Sequence, residues 1–150
     1  RKYDVSFVAL GDALALPAAF GLFLGRIANF INGELPGKVS DVSWCVNFNN
    51  ETDSAGDLVC RHPSQLYEAL KNFIIFGVLS QLWKLRERFP GLVMWSFVAL
   101  YGLLRFLVNF WRLDDPVLWG LSIGQVLSFL MFLLGGFMAA RLVYKKKGDV

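Results

Sequence analysis

Four long apolar stretches leave this chain few ways to fold in water. They run from about Phe7 to Ile31, Leu66 to Trp83, Leu92 to Trp111 and Leu121 to Val143. A helix rises ~1.5 Å per residue, so roughly 20 residues cross the ~30 Å hydrocarbon layer of a bilayer. Asp12 and Pro17 interrupt the first stretch; the last two are the clearest. The 150 residues are 55% hydrophobic and only 18% charged, too little polar surface to solvate a domain of this size. The pattern predicts an all-α, polytopic integral membrane helix bundle with about four transmembrane helices and one long extracytoplasmic loop. The first residue is Arg and no signal peptide is visible, so the chain reads as a piece of a longer polypeptide.

Lys and Arg orient the spans. Arg1 and Lys2 precede the first, Lys84, Arg86 and Arg88 fill the connection after the second, and Arg141 with Lys145, Lys146 and Lys147 ends the fourth. If the spans alternate, all three clusters face one side, which the positive-inside rule makes cytoplasmic. The long connection from Asn32 to Pro63 then faces outward, and it is acidic: Glu34, Asp41, Glu51, Asp53 and Asp57 against Lys38 and Arg61. Both cysteines, Cys45 and Cys60, lie in it. In an oxidising compartment they form either a disulfide, worth roughly 3 kcal/mol in the chain-entropy model, or two unpaired thiols. With His62 the only histidine, no metal site is expected.

Ionisable groups inside a span cost ~2.5 kcal/mol or more on insertion scales, so they face the bundle interior and mark function. In "LYGLLRFLVNFWR", Arg105, Asn109 and Arg112 fall within about 60° on a continuous helix, a cationic stripe on an apolar rod. Arg112, near the outer end, reads as snorkelling to the headgroups; Arg105, two turns deeper, does not. In the first span Arg26, Asn29 and Gly33 share a helical face. The second opens with "RHPSQLYEALKN". There Pro63 suits a helix start, Ser64 and Gln65 can satisfy orphan amides, and Gln65, Glu68 and Asn72 repeat at helical spacing. Glu68 is a partner for Arg26, Arg105 or Lys71, while His62 is a loop residue at headgroup level. These groups converge in the outer half of the bundle, where the available anion is a phospholipid headgroup. The "GLSIG" around Ser122 matches the nucleophile-elbow pattern, but that motif has mechanical meaning only on a strand-turn-helix.

These segments also carry a resemblance. "GRIANFINGELPG" resembles the signature of the prolipoprotein diacylglyceryl transferases, "RHPSQLYEA" matches a second segment of that family, "YGLLRFLVNFWRLDD" resembles a third and "GLSIGQVLS" a fourth. They occur in the family's order across essentially the whole chain. The resemblance implies a multi-pass enzyme of the bacterial inner membrane, its active site toward the extracytoplasmic side and its C-terminus cytoplasmic. The implied reaction moves the diacylglyceryl group of phosphatidylglycerol onto the lipobox cysteine thiol of a prolipoprotein signal peptide, giving a thioether and glycerol phosphate. Partners are therefore that lipid, that peptide and the membrane; no cofactor, metal or nucleic acid is implied.

Carried over position by position, Arg26, Arg105 and Glu34 are the expected catalytic residues. Arg26, Asn29, Gly33, Gly37 and Arg105 are expected to bind phosphatidylglycerol, with His62, Gln65, Tyr67, Glu68 and Asn109 supporting them. Ala28 stands where the family has glycine, and Asn109 where a glutamate often pairs with the arginine. The family's N-terminal half, with its His-Gly-Gly segment and proposed catalytic histidine, has no counterpart here, so residues 1–150 resemble the C-terminal part of a single membrane-embedded transferase domain. Two other classes fit parts of the pattern: an intramembrane serine hydrolase using Ser122, and a non-enzymatic lipid-binding or transporter half with Pro17 breaking a helix.

Overall fold

A computed structural model of the protein describes residues 6–114, 116 and 120–148. Among the described residues four helices form: α1 (Phe7–Ile31), α2 (Ser64–Leu82), α3 (Leu92–Val108) and α4 (Ile123–Gly148), and 3₁₀ turns Trp83–Leu85 and Asn109–Trp111 extend α2 and α3. The described residues form isolated β-bridges but no strand. Arg1 and Lys2, and the side chains of Lys146 and Lys147, which the orientation argument used, lie outside the described residues.

Among the described residues, three segments are long and apolar enough to cross a bilayer: Phe7–Ile31, Leu92–Trp111 and Ile123–Lys145. The second expected span is a helix, yet it is not among them. Gln65, Glu68, Lys71 and Asn72 occupy its first half and lower its apolarity. These four are buried, whereas Leu70, Phe73, Ile74 and Val78 on the same helix are exposed. The inversion runs through the bundle: among the described residues ten polar side chains are buried against eight apolar ones, the opposite of a water-soluble core. Hydrocarbon on the outside accounts for it, because apolar side chains gain nothing there by turning inward.

Packing between helices relies on small residues. Ala15 and Ala19 of α1 meet Ile75 and Leu79 of α2 and Val93 of α3. α3 and α4 touch at two glycines. A Cβ on Gly102 would lie 2.5 Å from the Ser128 carbonyl oxygen, and one on Gly135 would lie 2.5 Å from the Ala99 amide nitrogen. Lipid offers no hydrophobic drive between helices, so close backbone approach supplies the dispersion contact that holds them.

Asp12, an interruption in the apolar pattern, is a cap for another helix. Gly91, the N-cap of α3, has φ +92°, and the first turn of the helix leaves amides without helical partners. The Gly91 N–H donates to Asp12 Oδ2 at 2.7 Å and the Met94 N–H to Oδ1 at 2.8 Å. The carboxylate, 3% exposed, also faces the positive end of the α3 dipole. Charged hydrogen bonds contribute ~1.5–3 kcal/mol each. Asp12→Ala is therefore expected to cost about 3 kcal/mol in detergent unfolding titrations, and Asp12→Asn about half; a change under about 1 kcal/mol for Asp12→Ala would contradict the cap.

The bundle has two distinct ends. At one, Gly91 lies against Val8 of α1 and near Leu142 of α4. At the other, the connection 32–63 is hydrogen-bonded to the start of α2 through Ser64 and Gln65 and to the end of α3 through the Trp111 carbonyl.

Candidate functional site

The outer connection is stapled onto the bundle. α1 ends at Ile31 with Asn32 as its C-cap, and Gly33 turns the chain at φ +70°. Gly33 is thus beyond the helix, not on a face shared with Arg26 and Asn29 as helical spacing predicted. A Cβ on Gly33 would meet the Asn49 side chain at 3.0 Å. Gly37 is where three segments cross. Its N–H donates to the His62 carbonyl, and a Cβ there would sit 2.5 Å from the Trp111 carbonyl oxygen. Gly37 bridges to Arg112, and Val39 and Val46 both bridge to Arg61.

Cys45 and Cys60 are joined by a disulfide, Cα–Cα 5.5 Å, which resolves the alternative left open by the sequence. Beside it the Arg61 guanidinium donates to both Glu51 carboxylate oxygens at 2.7 and 2.6 Å. That fork holds the Glu51 carboxyl below its ordinary range and Arg61 above its own. Asn47 Nδ2 closes the same loop by donating to the carbonyls of Glu51 and Val59.

The start of α2 is tied to this cap. Pro63 is the N-cap and Ser64 the first helical residue. Contrary to the expectation from the sequence, Ser64 and Gln65 do not satisfy the helix's own orphan amides. Their donors reach across instead: Ser64 Oγ to the Leu35 carbonyl at 3.2 Å and Gln65 Nε2 to the Glu34 carbonyl at 2.7 Å. Both carbonyls lie in the turn after α1 and lack helical partners.

One turn deeper, Glu68 gathers four cations. Lys71 Nζ lies 2.8 Å from Oε2, Arg26 Nε 3.6 Å from Oε2, and Arg112 Nη1 3.8 Å from Oε1; Arg105 Nη1 forms a short, direct hydrogen bond to Oε1. Glu68 is 0% exposed, so its charge cannot be left to solvent. Asp114 Oδ2 pairs with Arg112 at 3.5 Å. Among the described residues, four positive charges against two negative ones leave an excess of two in a largely enclosed cluster. Lys71 also sits 4.3 Å from the centre of the Tyr101 ring on α3, a cation–π contact that helps keep a buried ammonium charged.

The cationic stripe expected on the third span is split. The helix ends at Val108, and Arg112 is extended at ψ 155° after the 3₁₀ turn. Arg112 therefore turns inward to Glu68 and does not snorkel. Asn109 leaves the arginines altogether: its Nδ2 donates to Ser122 Oγ at 2.7 Å. Ser122 is a helix cap and no exposed nucleophile. The Gln125 N–H donates to Ser122 Oγ at 3.2 Å and the Ser122 N–H to Gln125 Oε1 at 2.9 Å, a reciprocal capping box opening α4. The lone histidine is elsewhere, so no serine–histidine pair forms. α1 runs unbroken through Pro17, which removes the broken helix a transporter reading required.

Asn29 and Glu34 pair with each other, Nδ2 to Oε2 at 2.8 Å, and among the described residues Glu34 meets no arginine. His62 Nδ1 lies 3.1 Å from the Tyr67 hydroxyl, which accepts the Trp44 indole N–H at 2.8 Å. With Trp111 these side chains line a pocket of about 330 Å³. The sequence thus located Arg26, Arg105 and Glu68, and missed Arg112 as a member of the cluster and Tyr101, Trp44 and Trp111 altogether. Lys71 was legible as a possible i, i+3 partner of Glu68, but not as one of four.

Residues 1–141 match the family model described as prolipoprotein diacylglyceryl transferase. Among similar proteins, each named a phosphatidylglycerol–prolipoprotein diacylglyceryl transferase, that of Geobacter sulfurreducens is 48% identical over 153 residues, covering 99% of this chain and 56% of the relative. That of Nitrobacter winogradskyi is 42% identical over 143 residues, covering 90% and 47%, and that of Idiomarina loihiensis 43% over 147, covering 94% and 53%. The chain spans about half the length of the curated relatives it matches. It belongs to the prolipoprotein diacylglyceryl transferase family.

Proposed function

We propose that this chain forms the phosphate-handling half of a membrane-embedded transferase. The reaction moves the diacylglyceryl group of phosphatidylglycerol onto the lipobox cysteine thiol of a prolipoprotein. The observation that carries this reading is the excess of positive charge around Glu68, joined to the family membership. In this reading the protein lies in the bacterial inner membrane with the Glu68 cluster toward the outer leaflet and the C-terminus in the cytoplasm. The chain supplies the C-terminal part of the transferase domain.

The chemistry follows from where charge develops. The thiolate sulfur forms a bond to the glycerol methylene carbon while the bond from that carbon to the phosphate oxygen breaks. A singly charged phosphodiester and a neutral thiol enter; a neutral thioether and glycerol phosphate leave. The leaving phosphate departs as a dianion with a proton released, or as a monoanion carrying the thiol's proton. Negative charge grows on the departing oxygen, and guanidiniums already fixed by Glu68 meet it without reorganising. At ~4 Å and an effective dielectric of ~20, one such contact is of order 4 kcal/mol before desolvation. The same field favours the thiolate over the thiol.

Arg105 and Arg26 hold the phosphate in this reading, and Arg112 and Lys71 maintain the local potential. Glu68 orients the cations, and the Asn29–Glu34 pair shapes the entrance above Arg26. Gly37 acts through packing, since the space where a side chain would stand is filled by backbone. A lipobox peptide incubated with phosphatidylglycerol and the full protein tests the reaction. Equal molar yields of a diacylglyceryl thioether and glycerol phosphate are expected; free diacylglycerol without peptide adduct would instead mean hydrolysis and overturn the transferase reading.

A further inference from the structure

Gln65 holds a feature that the phosphate chemistry leaves unused. It is 1% exposed, and among the described residues its side-chain oxygen Oε1 has no hydrogen-bond partner. The orientation of the amide is fixed by its other end: Nε2 donates to the Glu34 carbonyl at 2.7 Å, and a carbonyl accepts only from a donor. So the unpartnered atom is an acceptor held in place. A buried, unsatisfied acceptor is costly, and in native proteins it calls for a specific partner. Gln65 precedes Glu68 by one turn on the same face of α2, on the side nearer the outer cap. A headgroup that extends toward that cap from a phosphate among the cations around Glu68 passes Gln65.

What must complete the acceptor is a donor, and the surroundings choose its charge. The excess of positive charge one turn away opposes an ammonium headgroup, so the matching donor is neutral. A hydroxyl satisfies both conditions. We propose that Gln65 Oε1 accepts a hydrogen bond from a headgroup hydroxyl of the bound phospholipid, making Gln65 a specificity-determining residue for polyol headgroups on anionic lipids. The assignment rests on the phospholipid reading of the Glu68 cluster and adds to it how the headgroup beyond the phosphate is told apart. A site built to pair a hydroxyl discriminates strongly against an analogue that lacks one, because the protein atom is then left unpaired.

The test compares lipids of equal charge in nanodiscs containing the full protein. The probes are phosphatidylglycerol, phosphatidylmethanol, and phosphatidylglycerol with both headgroup hydroxyls converted to methyl ethers, each competed against the same labelled anionic lipid. The native protein is expected to prefer phosphatidylglycerol over both analogues by about ten-fold, the size of one buried hydrogen bond. In Gln65→Met the preference should fall to about two-fold. Loss of the anchor on Glu34 affects all three lipids alike, so the ratio isolates the hydroxyl contact. Equal binding of the three lipids by native protein would overturn the Gln65 assignment while leaving the phosphate site intact, and needs no variant. A preference that persists unchanged in Gln65→Met would also overturn it. Failure of native protein to bind any of the three would overturn the phospholipid reading itself, and the Gln65 assignment with it.

Discussion

Glu68→Gln is expected to destabilise the protein by about 3–5 kcal/mol, the largest effect of any single change in the bundle. Glu68 is 0% exposed and meets Arg26, Lys71, Arg105 and Arg112. A glutamine preserves the shape and one acceptor but removes the charge that offsets these cations. Asp114, which reaches Arg112, cannot replace it. Removing one partner of a buried ion pair costs more than the pair is worth, because the survivors keep their desolvation penalty. Glu68→Asp keeps the charge on a shorter stem and should fall between native and Glu68→Gln. The cause is testable through its remedy. If uncompensated positive charge is the defect, phosphatidylglycerol should restore part of the lost stability and phosphatidylcholine should not, by mass action on the folded state. Unfolding titrations in mixed micelles read both quantities. A loss below about 1 kcal/mol for Glu68→Gln would mean that the cluster is not held by this carboxylate.

The second large effect falls on catalysis. Arg105→Ala should lower the rate of diacylglyceryl transfer by about 10²–10³-fold, the range found when one preorganised donor to a developing oxyanion is deleted. Arg105 donates a hydrogen bond directly to the Glu68 carboxylate, so its guanidinium is held in place within the cluster. The loss should appear mainly in kcat, since a charge that meets the leaving oxygen acts more strongly in the transition state than in the bound lipid. Arg105→Lys keeps the charge but loses the planar fork, and is expected to recover only part of the rate. Arg26, held at 3.6 Å, should give a smaller loss when changed to alanine. Transfer by Arg105→Ala within about three-fold of native would remove Arg105 from the reacting centre.

Much of this architecture is legible from hydrophobic runs. The first expected span and α1 share the bounds Phe7 and Ile31, and the third matches α3 with its terminal 3₁₀ turn. Glu68 as a partner of arginines follows from the cost of an isolated charge in a span. Where the reading failed, a local rule was extended past its domain. The stripe of Arg105, Asn109 and Arg112 assumed 100° per residue, but the tightening at Asn109–Trp111 sends Asn109 to Ser122 and Arg112 to Glu68. Gly33 lies past the end of α1, where helical spacing no longer applies. The serine–glutamine spacing of "SIGQ" is a capping-box signal, visible in the sequence beside the nucleophile pattern it mimics. Asp12 could not have been assigned from sequence, because its partners Gly91 and Met94 lie far along the chain and only the tertiary fold brings them together. Nor does any sequence rule place Trp44 against Tyr67 across the outer cap.

The claim on which the rest depends is that the cations around Glu68 hold a phospholipid phosphate and carry its departure. Mass spectrometry of a lipobox peptide, incubated with phosphatidylglycerol and the full protein as native or Arg105→Ala, addresses it most directly. A diacylglyceryl adduct on the cysteine that forms with native protein and is reduced by about 10²-fold or more with a folded Arg105→Ala is the predicted result. An adduct formed equally by both proteins, or none by the native protein in phosphatidylglycerol membranes, would contradict it.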